Sequence, residues 1–248
     1  MAWSRPRLFH ALALLHHAVA IWWLVRPKDL AGVTEPTTLN LQRYPCRFFT
    51  GWNLVAQTSF LCACVFEDLR GDRQSRLAPH VARLADLVFW ALVFPGTIFV
   101  GSVFWTLYTL DRELVYPTPI DAVLPRWLNH AMHTDIAAVL AAGMCRPRAP
   151  PPRPLALAAL LAYIACYDCV FLHAYTDGNV WIYPVFAELG PWPRQLGFLA
   201  LANAAILALY FLGDSIGKKL WGASPAGWKC FQKSDEKQNG LIENHKVK

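Results

Sequence analysis

The chain has 248 residues, of which 55% are hydrophobic and only 16% charged, and its mean hydropathy is +0.28. Soluble domains carry nearer about 25% charged residues, so an ordinary water-soluble globule is excluded. The net charge of +6 comes with no basic groove and no interleaved stacking aromatics. It speaks against a nucleic-acid partner and serves instead to orient the chain in a membrane.

Six apolar stretches follow in chain order: Leu8 to Val25, Phe48 to Phe66, Leu84 to Leu110, Trp127 to Met144, Leu155 to Leu172, and Leu196 to Leu212. Each has roughly the length that a hydrocarbon core about 30 Å thick requires of a spanning helix. The expected fold is therefore all-α, a polytopic bundle of six spans filling residues 1–213, followed by a Lys-rich cytosolic tail over 214–248. The first stretch follows Arg5 and Arg7, and Ala18-Val19-Ala20 imitates a signal-peptide cleavage site. Apolar residues continue through Ile21-Trp22-Trp23-Leu24-Val25, so the stretch reads as a retained helix. The third contains Pro95-Gly96, which predicts a kink that neighbouring helices can accommodate. The fourth begins with the polar residues Asn129, His130, His133 and Asp135.

Orientation follows from the basic residues. With six spans, sixteen of the 23 Lys and Arg fall on the side that holds both termini. The positive-inside rule makes that side cytosolic and leaves loops 26–47, 111–126 and 173–195 on the opposite face. The seven Cys are odd in number and show no disulfide framework, so no structural disulfide is expected. Cys166-x-x-Cys169, inside an apolar helix, reads as small packing residues rather than a redox or zinc motif. Cys230, beside Trp228 and Lys229, is a candidate for palmitoylation. The proline-rich run over 147–154 reads as a stiff connector.

Ionisable groups inside a bilayer cost several kcal/mol unless they have partners or water, which makes them functional candidates. His130 and His133 stack one helical turn apart. Spans two and four enter the membrane from the same side, so Thr50 lies about 3 Å and His133 about 9 Å below the start of its helix. A hydroxyl and an imidazole at comparable depth are the minimal parts for nucleophilic acyl transfer. Competing readings are a Thr50 hydroxyl bonded back to the carbonyl four residues earlier, a merely packed histidine, and a metal site combining His130, His133, His173 and Asp135. Phe94, Phe99 and Leu140 are the expected apolar lining of a substrate pocket. The aromatic-Pro pairs Tyr116-Pro117 and Tyr183-Pro184, with Tyr108 and Trp181, read as interfacial anchors and as candidates to line a lid over a lipid pocket.

Phe49-Thr50 with Asn53 and Gln57, Phe94-Pro95, Phe104-Trp105, Asp111-Arg112-Glu113 with Tyr116-Pro117, Trp127-Leu128-Asn129-His130-Ala131-Met132-His133-Thr134, and Trp181-Ile182-Tyr183-Pro184 together resemble the androgen-induced protein family. The resemblance runs from about the second span to the end of the sixth. It implies an atypical membrane threonine hydrolase that cleaves fatty acid esters of hydroxy fatty acids, with Thr50 as nucleophile and His133 as its acid/base partner. It implies no metal and no organic cofactor, and residence in the plasma membrane or endoplasmic reticulum. One branch of the family implies a different role, that of a non-enzymatic regulator of tissue factor pathway inhibitor. A small-solute transporter is a weaker reading, because paired broken helices are absent from the pattern. Two departures stand out: the acidic Asp135, and a segment Asp177 to Val180 that is one residue longer than the family's approach to its Trp. Asn129, Asp111 and Asp135 are the candidates for the oxyanion donors and for the group that orients His133.

Overall fold

The computed structural model describes residues 5–71 and 75–222, and no strand occurs among them. In chain order the helices are α1 (Arg5–Val25), α2 (Pro36–Arg43), α3 (Phe49–Arg70), α4 (Ala78–Val88), α5 (Phe94–Leu110), α6 (Arg126–His133), α7 (Ile136–Met144), α8 (Arg153–Gly178), α9 (Pro184–Glu188) and α10 (Trp192–Trp221). Five helical segments are long and apolar enough to cross a membrane: α1, α3, the continuous rod over 78–110, α8 and α10.

The fourth apolar stretch departs from the single helix expected. It is two short helices, α6 and α7, broken at Thr134-Asp135, where both backbone N–H groups return to the His130 carbonyl (2.8 and 2.9 Å) and the regular ladder stops. Thr and Asp are weak helix formers whose side chains compete for backbone partners. The Thr134 hydroxyl lies 3.2 Å from His130 Nδ1.

The kink expected at Pro95 is present in a different form. A π turn over Phe89–Val93 joins α4 to α5, and the Phe94 N–H reaches back five residues to the Phe89 carbonyl. Proline has no N–H to donate, and its ring crowds the carbonyl four residues back, so widening the preceding turn relieves the clash.

Ion pairs gather the helix ends into two layers. At one end, Asp68 from α3 holds His10 (2.5 Å) and Arg146 (3.4 Å), and buried Arg148 holds Asp86 (2.8 Å) and Glu67 (3.4 Å). Asp214 from α10 holds Arg153 (2.6 Å) and Lys218 (2.7 Å) there as well. At the other end lie Arg47 with Asp177 (2.5 Å) and Arg112 with Asp121 (2.9 Å). The chain therefore passes from the second layer to the first between residues 126 and 146, through α6 and α7. Asp214 is buried and α10 runs on to Trp221, so the boundary drawn after residue 213 falls within a helix. Cys230 and most of the Lys-rich tail lie outside the described residues.

α1 packs on α3 as part of the bundle, with His10, His17, Ala20 and Leu24 buried. α10 seats itself through Gly213 and Gly217, four residues apart on one face. A Cβ at Gly213 would lie 2.6 Å from the Phe94 ring, and one at Gly217 would lie 2.8 Å from Trp90. Such small-residue pairs let large neighbours approach the helix backbone, where packing rather than water exclusion holds membrane helices together. The six described cysteines are free. Cys166 and Cys169 are exposed on α8, so they face outward instead of packing inside the bundle.

Candidate active site

α3 starts at Phe49, which makes Thr50 the second residue of the helix. The carbonyl four residues before it belongs to Cys46, outside the helix, and accepts the Trp52 indole N–H at 2.7 Å. Thr50 does not take the back-bonding alternative, which Thr58 and Ser59 adopt deeper in the same helix, their hydroxyls donating to Leu54 O (2.7 Å) and Val55 O (2.9 Å). The Thr50 hydroxyl points to His133, with Oγ1 3.3 Å from Nε2. That length is at the long edge of a hydrogen bond and is common for nucleophile–base pairs in the absence of substrate.

His133 is the last residue of α6, where the helix breaks, and it is buried. Its ring lies flat on Phe104, with centroids 3.5 Å apart and planes at 11°. Nδ1 faces two acceptors, Asn129 Oδ1 at 2.8 Å and Asn129 O at 2.9 Å. A nitrogen between two oxygen acceptors carries the proton, so the neutral ring presents Nε2 as an acceptor to the Thr50 hydroxyl. Of the three residues considered for orienting His133, Asn129 does so. Asp135 lies 3.4 Å from His16, and Asp111 caps the Glu113 N–H at 2.9 Å.

The four-residue spacing from Asn129 to His133 is legible in the sequence, and burial is what turns the Asn129 side chain to the ring. The acidic residues of the two departures from the family pattern each face a basic side chain, Asp135 at 3.4 Å from His16 and Asp177 in an ion pair with Arg47. His130 stacks on Trp105 instead of joining His133, and among the described residues no three His, Cys, Asp or Glu side chains converge.

Beneath the pair, Gln57 ties four helices together. Its Oε1 is 2.9 Å from His17 Nε2, and its Nε2 donates to Thr97 Oγ1 (2.7 Å) and to Ile136 O (3.4 Å). Buried Asn53 lies one turn from Thr50 and presses its Oδ1 against Gly96, where a Cβ would sit 2.9 Å away.

Thr50 and His133 open into a cavity of about 140 Å³. Its walls are mainly apolar, with Leu24, Phe99, Phe104, Leu107, Phe171 and Ile206 among them, and Tyr116, Tyr167 and Tyr183 also line it. Of the three residues expected to line a pocket, Phe99 does. Phe94 and Leu140 pack instead into the cluster around the π turn, because Phe94 is held against Gly213. Tyr108 lies outside the lining, whereas Val115, Tyr116 and Ile120 from the adjacent loop belong to it. Sequence reasoning missed a second polar pair on the wall, Asp168 and Asn203, joined at 2.7 Å between α8 and α10. An acidic residue in the middle of an apolar stretch was the available signal.

Comparison with known proteins shows the family of the chain. The profile of the FAR-17a/AIG1-like protein family matches residues 6–218. The chain belongs to that family. Family relatives include the androgen-dependent TFPI-regulating protein of Mesocricetus auratus, 38% identical over 182 residues that cover 72% of this chain and 78% of the relative. The Homo sapiens protein of the same name is 35% identical over 203 residues, covering 80% and 82%. The androgen-induced gene 1 protein of Homo sapiens is 31% identical over 184 residues, covering 71% and 77%. No solved structure matches the chain. As a FAR-17a/AIG1-like protein with five long apolar helices, it is an integral, multi-pass membrane protein.

Proposed function

We propose that this protein is a membrane-embedded carboxylic ester hydrolase with Thr50 as nucleophile and His133 as general base and then acid. One observation carries the reading: the Thr50 hydroxyl faces an imidazole whose other nitrogen is fixed by Asn129, at the wall of an apolar cavity. In the first step the Thr50 Oγ–H proton passes to His133 Nε2 while Oγ bonds to the ester carbonyl carbon, and the carbonyl π pair moves to its oxygen. Collapse of that intermediate re-forms the carbonyl and breaks the ester C–O bond, and His133 returns its proton to the departing alkoxide. Water, deprotonated by His133, then attacks the Thr50 acyl ester, and the threonine hydroxyl is regenerated with release of a fatty acid.

The substrate class we assign is a fatty acid ester of a hydroxy fatty acid, which fits the resemblance and an apolar cavity with few polar groups at the reacting end. No metal or organic cofactor enters these steps. We further propose six membrane crossings, α6 and α7 together making the fourth, with both termini cytosolic in the plasma membrane or endoplasmic reticulum. In support, sixteen of the 23 basic residues fall on that side. Thr50 and His133 then lie in the outer half of the bilayer, where a long lipid ester enters sideways and water reaches the acyl intermediate.

A fluorophosphonate probe tests the chemistry in membranes. Wild type is expected to label and to turn over the ester, and Thr50→Ala and His133→Ala to lose both. Full turnover by either variant ends the proposal. A second reading follows the relatives named androgen-dependent TFPI-regulating protein: a regulator of TFPI that acts without ester hydrolysis. A Thr50→Ala protein that is catalytically dead yet changes inhibitor abundance as wild type does would assign that role to a separate binding function.

A further inference from the structure

Tyr167 from α8 and Tyr183 from the turn before α9 meet on the cavity wall that holds Thr50 and His133. The Phe49 N–H, one residue before Thr50, donates to the Tyr183 oxygen at 2.9 Å, and the Tyr167 hydroxyl donates to the same oxygen at 3.3 Å. Two phenols carry two protons. One is used between them, and the Tyr183 oxygen already accepts twice, so its own proton finds no acceptor among the described residues. A phenol hydrogen without a partner in a largely apolar enclosure is costly unless something arriving there accepts it. Burial pushes the Tyr183 phenol above its ordinary range, so it remains a donor across the working pH of an ester hydrolase.

Thr50, the residue after Phe49, supplies a second donor. Thr50 is in the first turn of α3, and the first four N–H groups of a helix have no intrahelical acceptor. We propose that the Tyr183 hydroxyl, with the Thr50 amide, donates to the ester oxygen as negative charge develops on it, and that Tyr167 is a positioning residue acting through Tyr183. The inference rests on the hydrolase reading above and assigns the oxyanion donors that the sequence left open. The proton balance of the reaction is unchanged: the Thr50 proton resides on His133, and Tyr183 lends a hydrogen bond without transferring its proton. The packing of Tyr183 on Phe48, edge to face at 5.5 Å, limits the reorganisation needed to meet that charge.

The test uses full-length protein in lipid nanodiscs and a fatty acid ester of a hydroxy fatty acid, with turnover expressed per fluorophosphonate-labelled site. Tyr183→Phe is expected to lower kcat on the order of 10²-fold or more while leaving KM within about two-fold, because the contact strengthens only as charge develops. Tyr167→Phe leaves the Tyr183 proton in place, and its kcat is expected to fall less than about ten-fold. Trifluorotyrosine at position 183 keeps the shape but is more acidic, and it is expected to add a descending alkaline limb to the kcat profile.

A purely structural tyrosine moves stability and leaves that profile alone. The proposal is overturned by a Tyr183→Phe protein with wild-type kcat per labelled site, or by a trifluorotyrosine profile superimposable on wild type. The second measurement stands even where Tyr183→Phe does not fold. A dead Thr50→Ala beside an intact Tyr183→Phe removes the donor role alone, whereas a wild type that neither labels nor turns over removes the hydrolase reading as well.

Discussion

Asn129→Ala separates the orienting group from the base it orients. The His133 Nδ1–H is shared between Asn129 Oδ1 at 2.8 Å and Asn129 O at 2.9 Å, and alanine removes only the first acceptor. The carbonyl remains, so the tautomer that turns Nε2 toward Thr50 persists, and the Phe104 ring still holds the imidazole plane. The loss is then one net hydrogen bond, about 0.5–1.5 kcal/mol, or roughly a two- to twelve-fold fall in kcat/KM. His133→Ala removes the base itself and is expected to cost roughly 10²- to 10⁴-fold. Both variants are compared in nanodiscs on the same hydroxy fatty acid ester, with intact folding checked by thermal unfolding. A well-folded Asn129→Ala as inactive as His133→Ala would show that the carbonyl does not hold the tautomer. Activity equal to wild type would show that the side chain plays no orienting part, and either result refutes the reasoning.

Arg148 is 5% exposed and neutralises Asp86 and Glu67. Arg148→Met is expected to destabilise the bundle by about 3–5 kcal/mol, read as a lower thermal midpoint in detergent, with partial recovery in Arg148→Met/Asp86→Asn. Gly213→Ala drives a methyl into the Phe94 ring and is expected to cost about 1–3 kcal/mol; an unchanged unfolding midpoint would contradict the close packing of α10 on α5. Lys28, in the loop after α1, is lowered to about 8 by burial and by Arg26. Its charged form is disfavoured in the folded protein, so this group's contribution should raise wild-type stability as pH climbs from about 8 to about 10.5 and stay level below about 8, where both states hold the proton. Lys28→Met should flatten that part of the profile in parallel unfolding scans.

The amino-acid sequence determined the long apolar helices, though not the short helices α2 and α9 or the full extent of α8 and α10. A 20-residue apolar stretch in a bilayer has no other way to satisfy its backbone, so α1, α3, α8 and α10 were legible from composition alone. It also determined which residues were unusual for their depth, Thr50 and His133 among them. Tertiary structure decided what those residues do to one another. The break after His133 depends on where Thr134 and Asp135 find partners, and the π turn before Pro95 on how the chain packs around it. Asn129 was in view from the start, but its choice of His133 over solvent is a matter of burial. Tyr167 and Tyr183 lie sixteen residues apart on either side of a helix end. Their joint position beside Phe49 follows no sequence period, because hydrogen bonds between separate elements are fixed by the packing of the bundle and not by helical spacing.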